Sequence, residues 1–223
     1  MKTDLKPRAE LELGRFALDP YCKLYLPLSK LDGNSFMSKD AYGHLCTNHG
    51  SIWTPQGRSF DGVDDYVDCG TALGTLLGNN RTQLSTVLWF KTNVTGANDG
   101  ILNIGNFSSQ GEWSLIILSN TLQFRMDNAA FNQSYSFTDI VNWNQLVAVY
   151  DGSNGKAYLN GVEVISAPYT VGLDLSGLKT IIAGYYNSSF TLDGLIGEVL
   201  IYSRALTPQE ILEHYIVGKE MFR

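Results

Sequence analysis

Between Leu122 and Asp127 apolar and polar residues alternate one for one, with Leu122, Phe124 and Met126 set against Gln123, Arg125 and Asp127. A period of two belongs to an extended chain whose side chains point to opposite faces in turn, so the run predicts a strand with one buried and one wet side. Comparable runs recur at Asp65 to Cys69, Gln83 to Thr92, Gly100 to Ile104, Trp113 to Leu118, Thr121 to Asp127, Trp143 to Asp151, Lys156 to Leu159, Val162 to Ser166, Lys179 to Gly184 and Gly194 to Tyr202. Their regular spacing, with turn residues between them, predicts an all-β sandwich or barrel. Ser85 to Phe90 and Leu146 to Tyr150 are almost continuously apolar, which predicts central strands.

The joints support this reading. Asn160-Gly161, between Leu159 and Val162, is the strongest two-residue hairpin signal, and Asp151 to Gly155 reads as a longer hairpin loop, so three strands form an antiparallel meander. Helical signals appear only at Thr207-Pro208-Gln209-Glu210, a capping box with Pro at the first helical position. Leu206, Ile211, Leu212 and Tyr215 are expected to form that helix's stripe toward the sheets. Upstream, Cys22 to Leu28 alternates and contains Pro27, which suits an edge strand, while 29–57 reads as a long irregular loop. Residues 1–20 carry scattered charge and no core pattern, and are expected to be an arm on a single domain spanning 21–223.

Composition narrows the function. A net charge of −6, from 16 basic and 22 acidic residues, argues against a nucleic-acid partner, whose phosphates require clustered Lys and Arg. The first 20 residues contain no apolar run, which predicts neither membrane insertion nor a secretory signal. Three cysteines, Cys22, Cys46 and Cys69, are too few for a disulfide framework and are expected to be mostly reduced.

Ser59 to Val67, Thr86 to Lys91, Trp143 to Gly152, Lys156 to Gly161 and Asp193 to Thr207 are five segments that resemble, in this order, motifs of the concanavalin A-like lectin/glucanase superfamily, in particular its laminin G-like domains. Ser59-Phe60-Asp61-Gly62-Val63-Asp64-Asp65-Tyr66-Val67 is similar to the family's FDGxDDYV opening, and Thr86 to Lys91 to its first central strand. Trp143 to Gly152 resembles WHHVAVTYDG, Lys156 to Gly161 resembles LYVNG, and Asp193 to Thr207 resembles GxIDEVRIYNRALS. The resemblance implies a two-sheet antiparallel jelly-roll sandwich with a short C-terminal helix. It also implies a structural Ca2+ near the opening segment, with Asp61, Asp65 and Glu198 at the matching positions, although Gly197-Glu198 stands where two consecutive carboxylates are usual.

Catalytic signals are thin. The jelly-roll glucanase signature Glu-x-Asp-x-Glu on a strand is absent, as are a nucleophile elbow and a phosphate loop. The reading is therefore a binding protein rather than an enzyme. Candidate ligand-binding residues are Tyr185, Tyr186 and Asn187, with Trp113 as a further ring, because sugar faces stack on aromatic rings beside amide hydrogen-bonding groups. Asn128, Phe131, Asn132 and Tyr135 form a second aromatic and amide-rich stretch. Two functions remain open: a structural or adhesive protein, such as a virion decoration or tail component held to a protein partner or to itself through the arm, and a lectin-like glycan-binding module. A glycoside hydrolase is the third choice.

Overall fold

The computed structural model describes residues 14–93, 98–105, 111–185 and 190–222, which fold into two antiparallel eight-stranded sheets forming a sandwich. The strands are β1 (Cys22–Pro27), β2 (Ser35–Met37), β3 (Leu45–His49), β4 (Ile52–Thr54), β5 (Gly57–Asp61), β6 (Tyr66–Asp68), β7 (Leu84–Thr92) and β8 (Asn98–Ile104). They continue as β9 (Trp113–Leu118), β10 (Thr121–Met126), β11 (Phe131–Ser136), β12 (Asn144–Tyr150), β13 (Asn154–Leu159), β14 (Val162–Pro168), β15 (Thr180–Ile182) and β16 (Asp193–Tyr202). The first sheet has the order β14, β13, β12, β7, β16, β5, β4, with β1 also paired to β16. The second has the order β11, β10, β9, β8, β15, β6, β3, β2.

The apolar run Ser85 to Phe90 lies in β7, between β12 and β16, at the centre of the first sheet. Leu84, Leu88 and Phe90 point into the core between the sheets, whereas Val87 and Trp89 point away from it and are buried all the same. A third layer covers them: the C-terminal helix Pro208–Gly218 and the residues around it. Trp89 lies between the rings of Tyr215 and Phe222, with centroids 5.9 and 5.0 Å away. At Gly218 a Cβ would stand 2.4 Å from the Trp89 indole nitrogen, so only glycine lets the helix end this close to the ring.

The helix begins as its sequence predicts, with Thr207 and Glu210 forming the reciprocal capping box. Of the expected stripe, Leu206 and Ile211 are buried and Tyr215 packs on Trp89, while Leu212 departs from it. Ile211, His214 and Gly218 face inward at helical spacing, while Leu212 is 40% exposed. His214 stacks on Phe16 with centroids 3.6 Å apart and lies 3.3 Å from the Tyr202 hydroxyl. Burial holds this imidazole neutral by lowering its pKa to about 3. Arg204 bridges Asp19 and Glu210, each at 2.6 Å, so the described part of the expected arm, residues 14–20, rests against the same outer face.

The Asn160-Gly161 turn has the positive φ angles, 52° and 80°, of the two-residue hairpin that its sequence predicts. The segment 29–57 departs from expectation. Rather than an irregular loop, it forms β2, β3 and β4 and the first residue of β5. Its organiser is Arg58, only 1% exposed, which donates to the carbonyls of Ser51, Leu31 and Gly33 at 3.1, 2.7 and 2.9 Å and lies over the Phe36 ring. Strand β11 and the short helix Ala72–Leu77 are further elements that periodicity did not predict.

Replacing Arg58 with Met removes the donor to three carbonyls at once and is expected to lower stability by roughly 3 kcal/mol. Thr207→Ala, which removes one helix cap, is expected to lower it by about 1 kcal/mol. Chemical denaturation midpoints check both, and equal losses would contradict the assignment of Arg58 as the organiser of 29–57.

Candidate functional site

The C-terminal helix and residues 14–20 cover the centre of the first sheet's outer face and leave between them an open depression of about 450 Å³ lined by Arg15, Leu18, Arg204 and Glu213, whereas the outer face of the second sheet carries no such layer among the described residues. On β10, Leu122, Phe124 and Met126 enter the core, and Thr121, Gln123 and Arg125 point outward. Register places Arg125 between Ser114 on β9 and Asn132 on β11. Asn132, Ser134 and Ser136 therefore share the outward face, while Tyr135 turns to the opposite one, beside Phe137.

Glu112, 1% exposed, anchors the polar groups of this face. It accepts from the Tyr185 hydroxyl at 2.9 Å, from the Ser114 hydroxyl at 2.9 Å and from the backbone N–H of Ala129 at 3.2 Å, with Arg125 at 3.6 Å. Arg125 also donates to the Tyr185 oxygen at 2.8 Å, and Asn103 to Ser114 at 2.6 Å. Tyr185 is 5% exposed and thus tied into this network, while Tyr186 and Asn187 lie outside the described residues. Trp113 is not a surface ring. It points inward, is 0% exposed, packs edge-on to Phe124 and donates its indole N–H across the sandwich to Thr86 at 2.8 Å. The alternation of β9 sends Trp113, Leu115 and Ile117 to the core together.

A second constellation lies at the β5–β6 turn. Asp61 accepts the Val63 N–H at 2.9 Å, and Asp65 accepts the Asp61 N–H at 3.0 Å, which folds the turn tightly. The carboxylates of Asp61, Asp64 and Asp65 lie within 4.8 Å of one another, a grouping that could hold a metal ion. Burial, and then the charge of Asp61, raise the Asp65 carboxyl above its ordinary pKa. Behind the turn Asp193 pairs with Asp61 in register and donates its N–H to Asp99 at 3.4 Å. Asp99 is 1% exposed, and burial pushes its carboxyl up to about 6. Beside the turn, an open depression of about 430 Å³ is lined by His49, Gly50, Asp64 and Tyr66. His49 on β3 and Tyr66 on β6 are cross-strand partners whose rings stack 4.2 Å apart at 9°. Sequence offers Tyr66 as a ring of the opening motif expected in the core and His49 only as a neighbour of Cys46, and not the two as a pair, because they become neighbours only through strand pairing.

Glu198 does not join this turn. It lies five residues along β16 from Asp193, about 16 Å at the rise of a strand, and pairs with Pro27 and Trp89. It is 2% exposed, in a small cavity with Tyr25, Lys30, Met221 and Phe222. Neither oxygen makes a hydrogen bond of ordinary geometry, and burial raises its carboxyl to about 8, a rise that Tyr25 and the charge of Lys30 oppose. The expected metal set of Asp61, Asp65 and Glu198 is thus divided, with Asp64 taking the place beside the two aspartates.

A family model described as concanavalin A-like lectin/glucanases superfamily, of the laminin G type, matches residues 61–212, more than half of the 223-residue chain. The chain belongs to this superfamily. The match opens at the acidic turn and closes in the C-terminal helix, so this laminin G-like domain carries both the Asp61 cluster and Glu198 inside its family core. No curated protein sequence matches it. Among solved structures it is similar to domain 4 of AbnA, a GH43 extracellular arabinanase from Geobacillus stearothermophilus, in complex with arabinotriose. That likeness has 17% identity and a TM-score of 0.67 and covers 86% of this chain and 97% of the other. It is also similar to the binding domain of botulinum neurotoxin serotype G, at 15% identity and TM-score 0.71, covering 88% of this chain and 51% of the toxin domain. A third similar structure is the Trypanosoma rangeli sialidase in complex with 2,3-difluoro-KDN, at 16% identity and TM-score 0.70, covering 97% of this chain and 39% of the sialidase. At these identities the likeness is one of fold.

The raised pKa of Glu198 has a definite sign. A carboxyl neutral in the folded state up to about 8, and ionised from about 4.5 upward when unfolded, stabilises fully below the lower value; the benefit is lost as pH rises through the higher one. Glu198→Gln is therefore expected to melt near wild type at pH 4.5 and above wild type at pH 8.5. Melting curves at the two pH values check this, and parallel behaviour of the two proteins would contradict it.

Proposed function

We propose that this domain is a non-catalytic glycan-binding module whose ligand lies in the depression formed by His49, Gly50, Asp64 and Tyr66. The observation that carries the reading is the stacked His49–Tyr66 pair beside an exposed carboxylate in an open space of about 430 Å³. Aromatic faces cover the apolar C–H surface of a sugar ring, while a carboxylate accepts from its hydroxyls. The volume is within the range of small-ligand sites. The fold relative in complex with arabinotriose supports a sugar ligand, and the toxin's binding domain supports a role in recognition.

Catalysis is the weaker reading. The Asp61, Asp64 and Asp65 carboxylates are close enough for glycosidase chemistry, but all three belong to one tight turn, and Asp65 sits against Gly50 with an oxygen engaged by Asp61. A glycosidase places its two carboxyl groups on either side of the scissile bond. The structural or virion reading depends on a protein partner for the arm. Residues 1–13 lie outside the described residues, and 14–20 rest on this domain itself.

Within the proposal, Asp61, Asp64 and Asp65 hold a Ca2+, for which clustered hard oxygen ligands are suited, and the ion fixes the turn that carries Tyr66. Added Ca2+ is expected to raise the melting temperature of wild type and not of Asp65→Asn; equal curves in Ca2+ and chelator would dismiss the ion.

For the ligand, a glycan array followed by titration of the best binder is the test. Tyr66→Ala and His49→Ala are each expected to weaken binding about tenfold or more, with Arg125→Ala unchanged. The converse pattern would move the ligand to Arg125, whose side chain is 22% exposed beside Asn132, Ser134 and Ser136. An array without a binder would overturn the glycan reading.

A further inference from the structure

Cys46 and Cys69 face each other across neighbouring antiparallel strands. The β3–β6 register pairs Asn48 with Val67 and Thr47 with Asp68, so the next pair along is Cys46 with Cys69. The Cys69 N–H donates to the Thr180 carbonyl at 2.9 Å, on the side away from β3. The two cysteines are therefore a non-hydrogen-bonded pair, the kind in which Cα atoms approach to about 4.5 Å and side chains are closest. That separation falls within the range a disulfide requires. Both side chains enter the core, 0% and 1% exposed, and their sulfurs are 2.7 Å apart, closer than unbonded sulfurs pack. Cys22 belongs to a different cluster, on the outer face of the first sheet.

We propose that Cys46 and Cys69 form a cross-strand disulfide when the chain folds in the presence of a small-molecule disulfide such as oxidised glutathione. One cysteine thiolate attacks the glutathione disulfide, forming a mixed disulfide and releasing one glutathione thiol. The second thiolate then attacks the protein sulfur of that mixed disulfide and releases the other. Two cysteine thiols lose two electrons and two protons, and one glutathione disulfide gains them as two thiols. Because the finished sandwich buries both sulfurs, exchange takes place before β3 docks on β6, and the bond is shielded afterwards. The bridge joins residues 23 apart, and the loop it closes contains His49, Asp61, Asp64, Asp65 and Tyr66. It thereby ties both ends of the segment that carries the acidic turn and the stacked rings, whatever that segment binds.

The full chain, unfolded and reduced, is refolded in a mixture of oxidised and reduced glutathione, then denatured, alkylated and weighed. The expected product carries one alkyl group, on Cys22, and a cross-linked peptide joining Cys46 to Cys69. Cys22→Ala is expected to give the same cross-link with no alkylation. The oxidised form is expected to melt roughly 5–10 °C above the reduced form. Three alkylated cysteines at every glutathione ratio, or a bridge that includes Cys22, would overturn the proposal. Coincident melting of the two forms would overturn the fastening of the loop.

Discussion

Trp89 is held between Tyr215 and Phe222 on the side of the first sheet that points away from the second. That contact expresses a wider constraint, because β7 and β16 are buried on both faces. Leu88, Phe90, Val199 and Ile201 fill the space between the sheets, while Val87, Leu200 and Tyr202 lie beneath the helix and the residues around Phe16. Each large apolar side chain withdrawn from water contributes about 1.5–3 kcal/mol, so leaving the outer set uncovered would forfeit stability comparable to that of a whole domain. The C-terminal helix and residues 14–20 must dock there, and Gly218 allows the approach. The centre of that outer face is thereby committed to stability.

Three buried charged residues show how the fold manages groups that belong in water. Arg58 meets three carbonyls and so turns a polar segment into ordered strands. Glu112 meets two hydroxyls, a backbone N–H and a guanidinium, and so locks Tyr185 and Arg125 in place. Glu198 has no comparable set of donors and resolves the conflict by protonation, its pKa moving up to about 8. A carboxyl kept neutral beneath Phe222 packs as an ordinary polar side chain in the third layer and makes a poor metal ligand.

The sequence was most legible where one strand carries its own signal. The alternation in β10, the apolar runs of β7 and β12, the Asn160-Gly161 turn and the Thr207 capping box all appear in the structure as read, because each is set by local periodicity or local backbone chemistry. Legibility failed where order comes from distant partners. Strands β2 and β4, of three residues each, are too short to show a period, and their anchor, Arg58, reaches carbonyls 25 and 27 residues back. Trp113 is not placed by sequence because a ring at the first position of a strand reads equally well as surface or core, and only the phase of β9 decides. The acidic turn was found from its motif. The pairing of Tyr66, a member of that motif, with His49 is not legible there, since their stacking depends on the pairing of β3 with β6.

The two constellations on the second sheet differ in what a ligand would have to displace. Around Arg125 the Glu112, Ser114 and Tyr185 groups already engage one another and the Arg125 Nε is left over in a buried position, so a sugar hydroxyl reaching those engaged groups would exchange protein hydrogen bonds for its own, with little net gain. The depression at His49 and Tyr66 has its rings stacked and its Asp64 carboxylate exposed, with lone pairs left to accept from a hydroxyl even where one oxygen ligates Ca2+, so an incoming ring covers aromatic surface that gains from being covered. A preformed arrangement of this kind also needs little ordering on binding, since the stack is fixed by strand register and the carboxylate by a turn whose backbone N–H groups donate to the Asp61 and Asp65 side chains. Pre-organisation and unspent hydrogen-bonding capacity coincide at the β5–β6 turn, and that coincidence favours the depression over the more elaborate polar network across the same sheet.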